Sequence, residues 1–413
     1  MSAPVVSVIV PAYNAEAWIA RAVESALNQT FGDLEVIVCD DGSTDGTAGI
    51  LRSYGDPRLR VLRRENRGRG AARNAAIAAA RGRYLALLDA DDWWLPDKLA
   101  GDLALLDASG GPALVYANLH VVDRDGQIAR AMNNRHVVAH SGDVFPLLLQ
   151  RNFVPTSTVV LPRETVEHAG PFDESLVRCQ DWEWLLRVAA RVPFRYRNEI
   201  VGFYDAHSWG TDEKTFATWE GALRVLELIE RREPDRVAAA RTELTRSRAA
   251  VHWELARAAE AKRDYARAVD HYRQALACTP EDERLSWALA LACYRSGDRE
   301  AAEAALSDHI ARLPWAPVPR FYRGTLRLLA GDTAAARDDL RRALYVGPHD
   351  QHFPEAVNNL GVVHAREGDE EQAAVLFAQA VQQREGYSDA LWNRLHVGSV
   401  PADALRVTPA KVF

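Results

Sequence analysis

Two short groups of aspartates are the residues best suited to chemistry in this 413-residue sequence. Asp89 and Asp91 follow the apolar run that ends at Leu88, and Asp41 follows another that ends near Cys39. Side chains alternate along an extended chain, so Asp89 and Asp91 are expected to point the same way. Paired carboxylates of this kind suit Mg²⁺ or Mn²⁺, which prefer oxygen ligands and share them with substrate phosphates. The alternative is a solvated acidic turn that precedes a helix.

The first half of the chain contains the elements that would position these aspartates. Up to about residue 235, apolar runs of strand length alternate with amphipathic stretches of helical spacing. Strands are predicted at 7–10, 34–39, 60–63 and 84–88, and helices at 16–29, 47–54 and 70–80. Continuously apolar strands indicate a parallel sheet covered by helices on both faces. Ligands of such sheets lie beyond the carboxyl ends of the strands, where both aspartate groups fall.

The second half is rich in alanine and repeats with a period of 34 residues. Prolines and aspartates mark the period, at Pro280, Pro314 and Pro348 and at Asp264, Asp298 and Asp332, with Asp369 after a three-residue insertion. Small residues recur at 268, 302, 336 and 373, each followed four residues later by a bulky one. This helix-turn-helix pattern resembles the tetratricopeptide repeat, with four repeats predicted between 249 and 385. The alternative is an unrelated helical bundle. One departure is that no glycine precedes Asp264.

Composition narrows the class of protein and its location. Hydrophobic residues make up 48% and charged residues 26% of the chain, as in globular proteins, and the length exceeds one ordinary domain. We expect one domain over 1–235 and a helical domain over 236–413. The net charge is -7 without a basic stripe, so nucleic acid is not an expected partner. Neither a transmembrane segment nor a signal peptide is evident, so the expected location is cytoplasmic.

Four segments of the first half carry a family resemblance. They are VSVIVPAYNAEAWI, EVIVCDDGSTDGT, ENRGRGAARNAAIAAARGRYLALLDADD and FDESLVRCQDWEWLLR, and they span about residues 5–210. In order and spacing they resemble the family 2 glycosyltransferases. The resemblance implies an α/β domain of the GT-A fold, which is Rossmann-like and binds nucleotide-diphospho-sugars, followed here by an all-α tetratricopeptide-repeat solenoid. This combination is also similar to bacterial peptide glycosyltransferases.

The resemblance assigns roles to the aspartates and their neighbours. Asp41 matches a residue that recognises the base or ribose of the nucleotide. Asp89 and Asp91 match the DxD motif, in which Asp91 is the ligand of a divalent cation, Mn²⁺ or Mg²⁺, and Asp89 is expected on the ribose side. The other nucleotide-sugar contacts are expected from the first loop and from one arginine, at Pro11, Tyr13, Asn14 and Arg73.

The catalytic base must be a carboxylate remote in sequence from the DxD motif, because it removes a proton on the far side of the sugar. In the family it is the second residue of an acidic pair that is followed by an aromatic residue and another acid. This sequence has Gln180, Asp181, Trp182 and Glu183 at that place. Asp181 is therefore the expected base and Glu183 the second choice, the alternative being an acid that favours a helix N-terminus.

Further site residues are expected near the donor and the acceptor. Tyr204 and His207 match a family segment whose histidine approaches the diphosphate or the metal, so His207 is a candidate metal ligand; a lone histidine is otherwise an ordinary polar residue. Sugars pack on aromatic faces, so three tryptophans are candidates for an acceptor platform, with core packing as the alternative. They are Trp93, Trp182 and Trp184.

These assignments together imply an inverting, metal-dependent hexosyltransferase that uses a nucleotide-sugar, with UDP as the nucleotide implied by the family. The concave surface of stacked repeats suits extended chains, so a Ser, Thr or Cys side chain of a peptide or protein is the expected acceptor. The alternative acceptor is a cell-envelope polysaccharide or lipid-linked glycan, with the repeats as scaffold or homodimer contacts. A non-catalytic repeat scaffold is a further alternative, which the four aspartates at 41, 89, 91 and 181 disfavour.

Overall fold

The computed structural model describes residues 3–123, 126–128, 139–206, 212–347 and 353–408. The chain divides into two compact units, Met1–Val251 and His252–Phe413. Each unit contains its own cluster of buried hydrophobic residues. None of the described helices is long and apolar enough to cross a lipid bilayer.

The first unit is built on an eight-stranded sheet with helices packed around it. The strands are β1 (Val6–Ala12), β2 (Leu34–Asp40), β3 (Leu59–Arg63), β4 (Tyr84–Leu87), β5 (Trp93–Trp94), β6 (Leu114–Val122), β7 (Val160–Pro162) and β8 (Phe194–Asp205). The helices are α1 (Ile19–Leu27), α2 (Thr47–Arg52), α3 (Arg69–Ala79), α4 (Lys98–Asp107), α5 (Phe145–Gln150), α6 (Arg163–Ala169), α7 (Gln180–Ala189), α8 (Asp212–Arg232) and α9 (Pro234–Ala239). Helix α10 (Arg241–Ala261) contains the division between the units.

Four parallel strands form the part of the sheet that carries the aspartates. The sheet order is β3-β2-β1-β4-β7-β6-β8-β5, and β1 is parallel to both β2 and β4. Every residue of β1, β2 and β4 is buried, which explains their continuously apolar sequences. The carboxyl ends of these strands meet at one edge, as predicted. The prediction of an α/β domain of GT-A type followed by a helical region is confirmed.

The sheet is not parallel throughout, so that part of the prediction is wrong. Strand β7 runs antiparallel to β4 and β6, and β5 runs antiparallel to β8, whereas β6 and β8 are parallel. Both antiparallel strands are only two or three residues long. Strands this short show no periodicity in the sequence. Antiparallel strands also need no crossover helix between them, so no helical pattern indicated the pairing.

The first compact unit extends past the boundary expected at residue 235. Arg236 in α9 forms an ion pair with Asp143 (2.6 Å), and its guanidinium lies 5.0 Å from the centre of the Phe145 ring. Arg248 in α10 forms an ion pair with Glu230 in α8 (2.5 Å). These contacts fasten α9 and the first half of α10 to the sheet domain.

The second unit consists of consecutive helices that pack on one another. They are α11 (Tyr265–Cys278), α12 (Glu283–Arg295), α13 (Arg299–Arg312), α14 (Pro317–Leu329), α15 (Thr333–Val346), α16 (Phe353–Arg366), α17 (Glu370–Gln383) and α18 (Ser388–His396). The small positions of the repeat are fully buried, and so are the bulky positions between them: Ala268, Ala302, Ala336 and Ala373, and Tyr272, Leu306, Leu340 and Phe377. The unit is consistent with a helical repeat.

The repeated aspartates begin the second helix of each pair. The side chains of Asp264, Asp298, Asp332 and Asp369 each accept a hydrogen bond from the backbone N–H three residues later. Glycines with φ of 85–89° precede three of them, and Arg263 takes the equivalent place before Asp264 with φ 59°. A left-handed conformation costs a residue with a Cβ about 1 kcal/mol. The repeat therefore tolerates the missing glycine because Arg263 adopts the conformation of a glycine.

Candidate active site

A cavity of about 1050 Å³ lies at the carboxyl ends of β1, β2 and β4 in the first unit. Its wall is formed by the loops after these strands, by α3, and by the start of α7. Of the predicted site residues that the structure describes, it brings together Pro11, Tyr13, Asn14, Asp41, Arg73, Asp89, Asp91 and Asp181, together with Tyr204, whereas Glu183, Trp93 and Trp184 are not part of its wall. His207 lies outside the described residues.

The first loop of the cavity is fixed by Asn14, which has φ 48°. Its Oδ1 accepts the backbone N–H of Thr44 (2.8 Å), and its own N–H donates to Ser43 Oγ (2.9 Å). Asparagine tolerates the left-handed region because its short side chain hydrogen-bonds locally. Asn14 thereby joins the loop after β1 to the loop after β2, and leaves Tyr13 half exposed at the cavity wall.

Asp41 is buried and organises the loop that precedes α3. Its Oδ2 accepts the backbone N–H of Gly68 (2.7 Å) and of Arg67 (3.1 Å), and Arg64 Nε lies 3.4 Å from Oδ1. Asp40 lies outside the cavity wall, where its Oδ1 accepts the backbone N–H of Ser43 (2.9 Å). Because each carboxylate oxygen accepts more than one hydrogen bond, Asp41 can hold this loop and also contact a nucleoside.

Asp89 is bound by two arginines of α3. Arg73 Nη2 donates to Asp89 Oδ1 (2.5 Å), and Arg69 Nη1 lies 3.7 Å from Oδ2. Burial raises the pKa of Asp89, but the charges of Arg73 and Arg69 outweigh it and bring the pKa below its ordinary value. Arg73 is itself almost fully buried, and its Nη1 has no hydrogen-bond partner in the described part of the chain. A phosphate oxygen of a ligand in the cavity would satisfy that donor.

The carboxylates of Asp89, Asp91 and Asp92 form a cluster in which one oxygen of each lies within 4.8 Å of the others. Asp92 lies behind the cavity wall, where it accepts hydrogen bonds from the Ser157 hydroxyl and from the backbone N–H of Asp205 (3.2 Å). Burial, and then the charges of Asp91 and Asp89, raise the pKa of Asp92 well above its ordinary value. Asp92 therefore holds its proton to a higher pH than an exposed carboxyl does.

The cluster fits a hard divalent cation such as Mg²⁺ or Mn²⁺, because every candidate ligand atom is an oxygen. Asp89 is already bound by arginines and Asp92 lies behind the wall. Asp91 is the acid at the cavity surface best placed to hold such an ion. Phosphate oxygens and water would complete the coordination, as is usual for Mg²⁺.

Asp181 and Glu183, the two candidates for the base, have different positions. Asp181 lies at the cavity wall at the start of α7, and its Oδ2 accepts hydrogen bonds from Asn152 Nδ2 and Thr156 Oγ1, both at 3.2 Å. Glu183, two residues further on, is fully buried and is outside the wall. It forms ion pairs with Arg187 (2.8 Å) and Arg232 (2.6 Å). Asp181 is therefore the candidate that a substrate in the cavity can reach.

The three tryptophans do not form a common platform. Trp182 and Trp184 are buried, and their Nε1 atoms donate to Leu148 O (2.7 Å) and Gly170 O (3.1 Å). Trp93 lies between the guanidinium of Arg21, 3.3 Å from its ring centre, and the ring of Phe203 at 4.8 Å. Trp93 is only partly buried, and Trp182, although buried, also lines the cavity. Core packing alone therefore describes Trp184.

Several residues of the cavity wall were not predicted as site residues from the sequence. Asn152 orients Asp181, and Trp18, Cys179 and Trp219 also line the cavity. Cys179 begins α7 in the left-handed conformation, and burial raises the pKa of its thiol to about 12. Arg69 was recognisable only as a neighbour of Arg73, one helical turn earlier on α3. The tertiary fold alone brings these residues to the site.

The fold is that of the GT-A class, and comparison with known families agrees. The family model described as Glycosyl transferase family 2 matches residues 7–165, which contain β1 to β7. A second model, described as Bacterial transcriptional activator domain, matches residues 212–314. The tetratricopeptide assignment of the helical region therefore stays a prediction.

Several proteins are similar to part of this chain. The chondroitin synthase of Escherichia coli is 51% identical over 96 residues, 23% of this chain and 14% of that protein. The succinoglycan biosynthesis protein ExoO of Rhizobium meliloti is 46% identical over 113 residues, 27% of this chain and 32% of that protein. The E. coli UDP-Glc:alpha-D-GlcNAc-diphosphoundecaprenol beta-1,3-glucosyltransferase WfaP is 41% identical over 103 residues, which are 25% of this chain and 41% of that protein. The matched segment spans less than half of each relative.

Solved structures support the fold. The S. aureus protein TarS superposes with a TM-score of 0.52 at 19% identity, over 74% of this chain and 54% of that one. Its 1-349 fragment in complex with UDP-GlcNAc superposes with a TM-score of 0.52 at 18% identity, over 74% of this chain and 91% of that one. At this level of identity the likeness concerns the fold alone.

Proposed function

We propose that the first unit is an inverting glycosyltransferase that moves a hexose from a UDP-sugar to a saccharide acceptor. The observation that carries the proposal is that one cavity at the strand ends contains a paired arginine and aspartate, Arg73 and Asp89, a surface acid, Asp91, and a remote carboxylate, Asp181. Glycosyl transfer requires groups of these kinds: a cationic side chain that binds the diphosphate, a ligand for a divalent cation, and a general base.

The donor would lie with its diphosphate toward α3. Arg73 Nη1, which lacks a partner within the described residues, would donate to a phosphate oxygen, and Arg69 adds a second positive charge beside it. Asp41 and the first loop, with Pro11 and Tyr13, would hold the nucleoside. The choice of UDP is supported by relatives and neighbours, since WfaP is described as using UDP-Glc and TarS 1-349 is known in complex with UDP and UDP-GlcNAc.

A divalent cation held by Asp91, when bound, would neutralise the charge that develops on the departing diphosphate. The proton transfer is carried out by the chain's own residues. The acceptor hydroxyl gives its proton to the carboxylate of Asp181 while its oxygen bonds to C1 of the sugar, and the bond from C1 to the diphosphate breaks. UDP leaves with that electron pair. Asn152 and Thr156 orient the carboxylate of Asp181 for this transfer.

The acceptor is proposed to be a growing polysaccharide or a lipid-linked glycan. The relatives named above are described in terms of chondroitin, succinoglycan and diphosphoundecaprenol-linked saccharide. Transfer to a Ser, Thr or Cys side chain of a peptide, the acceptor first expected, has no support among them, and the alternative fits at least as well. Cytoplasmic location and a homodimer stay predictions.

The test is release of UDP from a panel of UDP-hexoses by the full chain with Mn²⁺ or Mg²⁺, because hydrolysis of the donor needs no known acceptor. We expect metal-dependent release with at least one donor. Asp91→Asn should lower it at least a hundredfold, since several kcal/mol of charge neutralisation are lost and each ~1.4 kcal/mol is a factor of ten.

Asp107→Asn is the matched control, because Asp107 is an exposed acid at the end of α4 in the same unit. It should leave UDP release unchanged. Absence of both UDP release and UDP binding by calorimetry with every donor would contradict the proposal and favour the non-catalytic scaffold. Release that persists in Asp91→Asn would contradict the role of Asp91.

A further inference from the structure

A short 3₁₀ turn, Thr156–Thr158, contacts both the acid cluster and the candidate base, and we call it the bridging turn. The hydroxyl of Ser157 accepts the backbone N–H of Asp89 (3.0 Å) and donates to a carboxylate of the acid cluster. The hydroxyl of Thr156, the residue before it, donates to Asp181 Oδ2 (3.2 Å). A single turn of backbone therefore sets the distance between the loop after β4 and Asp181.

Two side chains behind the site hold the bridging turn by its carbonyl groups. Trp94 Nε1 in β5 donates to Ser157 O (2.6 Å), and Lys98 Nζ in α4 donates to Thr158 O (3.2 Å). Ser157 and Thr158 are both almost completely buried. Buried carbonyl groups need a hydrogen-bond donor, so the position of the turn depends on these two side chains.

Lys98 is an ammonium group with no exposed surface. Its Nζ lies 2.7 Å from Asp102 Oδ2, one helical turn later on α4, and 4.4 Å from the centre of the Trp94 ring. Asp102 is equally buried and also pairs with Arg197 (3.2 Å). Burial lowers the pKa of Lys98, although the charge of Asp102 opposes this shift.

Stability does not account for a lysine at this position. Replacing a buried ion pair by apolar side chains of similar volume is often neutral or stabilising, because the charges no longer have to be removed from water. An apolar side chain at 98 would pack against Trp94 but would give no hydrogen bond to the bridging turn. The contact with Thr158 O is therefore the property that the ammonium group supplies.

We propose that Lys98 is a positioning residue for glycosyl transfer: by holding the bridging turn, it keeps Asp181 at the distance from the acid cluster that the reaction requires. The inference rests on the proposed function, which makes Asp181 the base and the acid cluster the place of the cation. Lys98 is not part of the cavity wall, so it acts only through the turn. The donor contacts expected from α3 and the first loop do not involve the turn.

The test is the variant Lys98→Met, which keeps a long unbranched side chain and removes the ammonium group. UDP release from the preferred UDP-hexose, with water as the acceptor, gives kcat, and calorimetry gives the affinity for UDP. We expect kcat to fall about tenfold or more, since a displacement of about 1 Å at a reacting group can cost a hundredfold. The affinity for UDP should stay within about threefold of wild type, because donor binding is unaffected.

A double variant separates positioning from a structural role of the ion pair. Lys98→Met alone leaves Asp102 with one of its two counter-charges, which by itself lowers stability. Lys98→Met with Asp102→Leu removes both charges, and Arg197 keeps its ion pair with Glu199. We expect the denaturant midpoint to return to that of wild type while kcat stays about tenfold lower or more. A kcat that recovers together with the midpoint would overturn the proposal.

Trp94→Phe covers the case in which no variant of Lys98 folds. It removes the other donor to the bridging turn, keeps an aromatic ring, and changes no charge. We expect the same result, a lower kcat with unchanged affinity for UDP, and an unchanged kcat in the folded variant would overturn the proposal. Arg52→Met is the matched control for loss of a cation, since Arg52 is exposed at the end of α2, and it should leave kcat and the denaturant midpoint unchanged.

The wild-type chain distinguishes failure of this inference from failure of the proposed function. If it releases no UDP from any donor, the proposed function is wrong and the role of Lys98 falls with it. If it releases UDP and the folded double variant releases UDP at the same rate, the proposed function stands and only the role of Lys98 is overturned.

Discussion

Asp181 and Glu183 lie two residues apart on α7 and have opposite surroundings. Asp181 contacts two neutral donors, the Asn152 amide and the Thr156 hydroxyl, at the wall of the cavity. Glu183 is buried between two guanidinium groups. A base must give up its hydrogen-bond partners easily and reach the acceptor, whereas an ion pair enclosed in the core does neither. The two acids therefore have separable consequences on substitution.

We expect Asp181→Asn to lower kcat for transfer at least a hundredfold while the affinity for UDP stays within about threefold, since general base catalysis contributes about 10²–10⁴-fold. Glu183→Gln should instead lower the free energy of unfolding by about 3 kcal/mol, because it leaves Arg187 buried without its counter-charge. Steady-state kinetics and denaturant titration of both variants check this. The reverse pattern would identify Glu183 as the base.

The sequence made part of the site predictable at this scale. Spacing placed Asp89 and Asp91 together at a strand end, and the family resemblance added Asp181 and Arg73. Their partners were not predictable: Asn152 lies 29 residues before Asp181 in a stretch without periodicity, and only the fold brings it within 3.2 Å. The ion pair of Arg73 with Asp89 likewise depends on how α3 packs on β1 and β2, which no local pattern specifies.

At the scale of elements, a buried carboxylate holds β1, β2 and the end of α3 together. Glu35 in β2 accepts hydrogen bonds from Ser7 Oγ in β1 (2.7 Å), from Arg81 N (2.8 Å) and from Arg60 Nη1 in β3 (3.0 Å). Burial raises the pKa of Glu35, but the hydrogen bonds from Arg81, Ser7 and Arg60 outweigh it and lower the pKa from 4.5 to about 2. This acid contributes to stability only while it is ionised.

We expect Glu35→Gln to lower the free energy of unfolding by about 2 kcal/mol at neutral pH. The pKa shift alone corresponds to about 3 kcal/mol, and the arginines, which remain partly in water, reduce the effect. Because the pKa is lower in the folded state, the difference from wild type should be complete above pH 4.5 and fade as the pH falls toward about 2. Glu65→Gln, at an exposed site, is the control. A difference that grows in acid would contradict this account.

The helical elements show how far a repeat can be predicted. The period of 34 residues located the capping aspartates and the buried alanines, because these positions recur and each has a local physical cause. The short strands β5 and β7 have no such recurrence, and the antiparallel part of the sheet was accordingly missed. At Arg263 the sequence was misleading in the opposite way. The residue adopts the left-handed conformation of the repeat although the glycine that normally favours this conformation is absent there.

At the scale of the whole molecule, the residues that line the donor cavity all lie between positions 11 and 219, inside the first compact unit. That unit has its own hydrophobic cluster, which does not draw on the second unit. Binding of the donor should therefore not require the helical unit. A chain that ends after Val251 keeps the contacts of Arg236 and Arg248 that fasten α9 and α10.

We expect the fragment of residues 1–251 to bind UDP by calorimetry with an affinity within about threefold of that of the full chain, because domains with their own cores fold alone. Asp41→Ala in the same fragment is the comparison that should weaken binding. A fragment that is folded by circular dichroism but has lost UDP binding would show that the helical unit completes the donor site.

The hydrogen bonds of Asn14 to Thr44 and Ser43 have a consequence for the entropy of ligand binding. Because they join the loops after β1 and β2 within the chain itself, a bound donor has less loop to order, and less conformational entropy is lost when it binds.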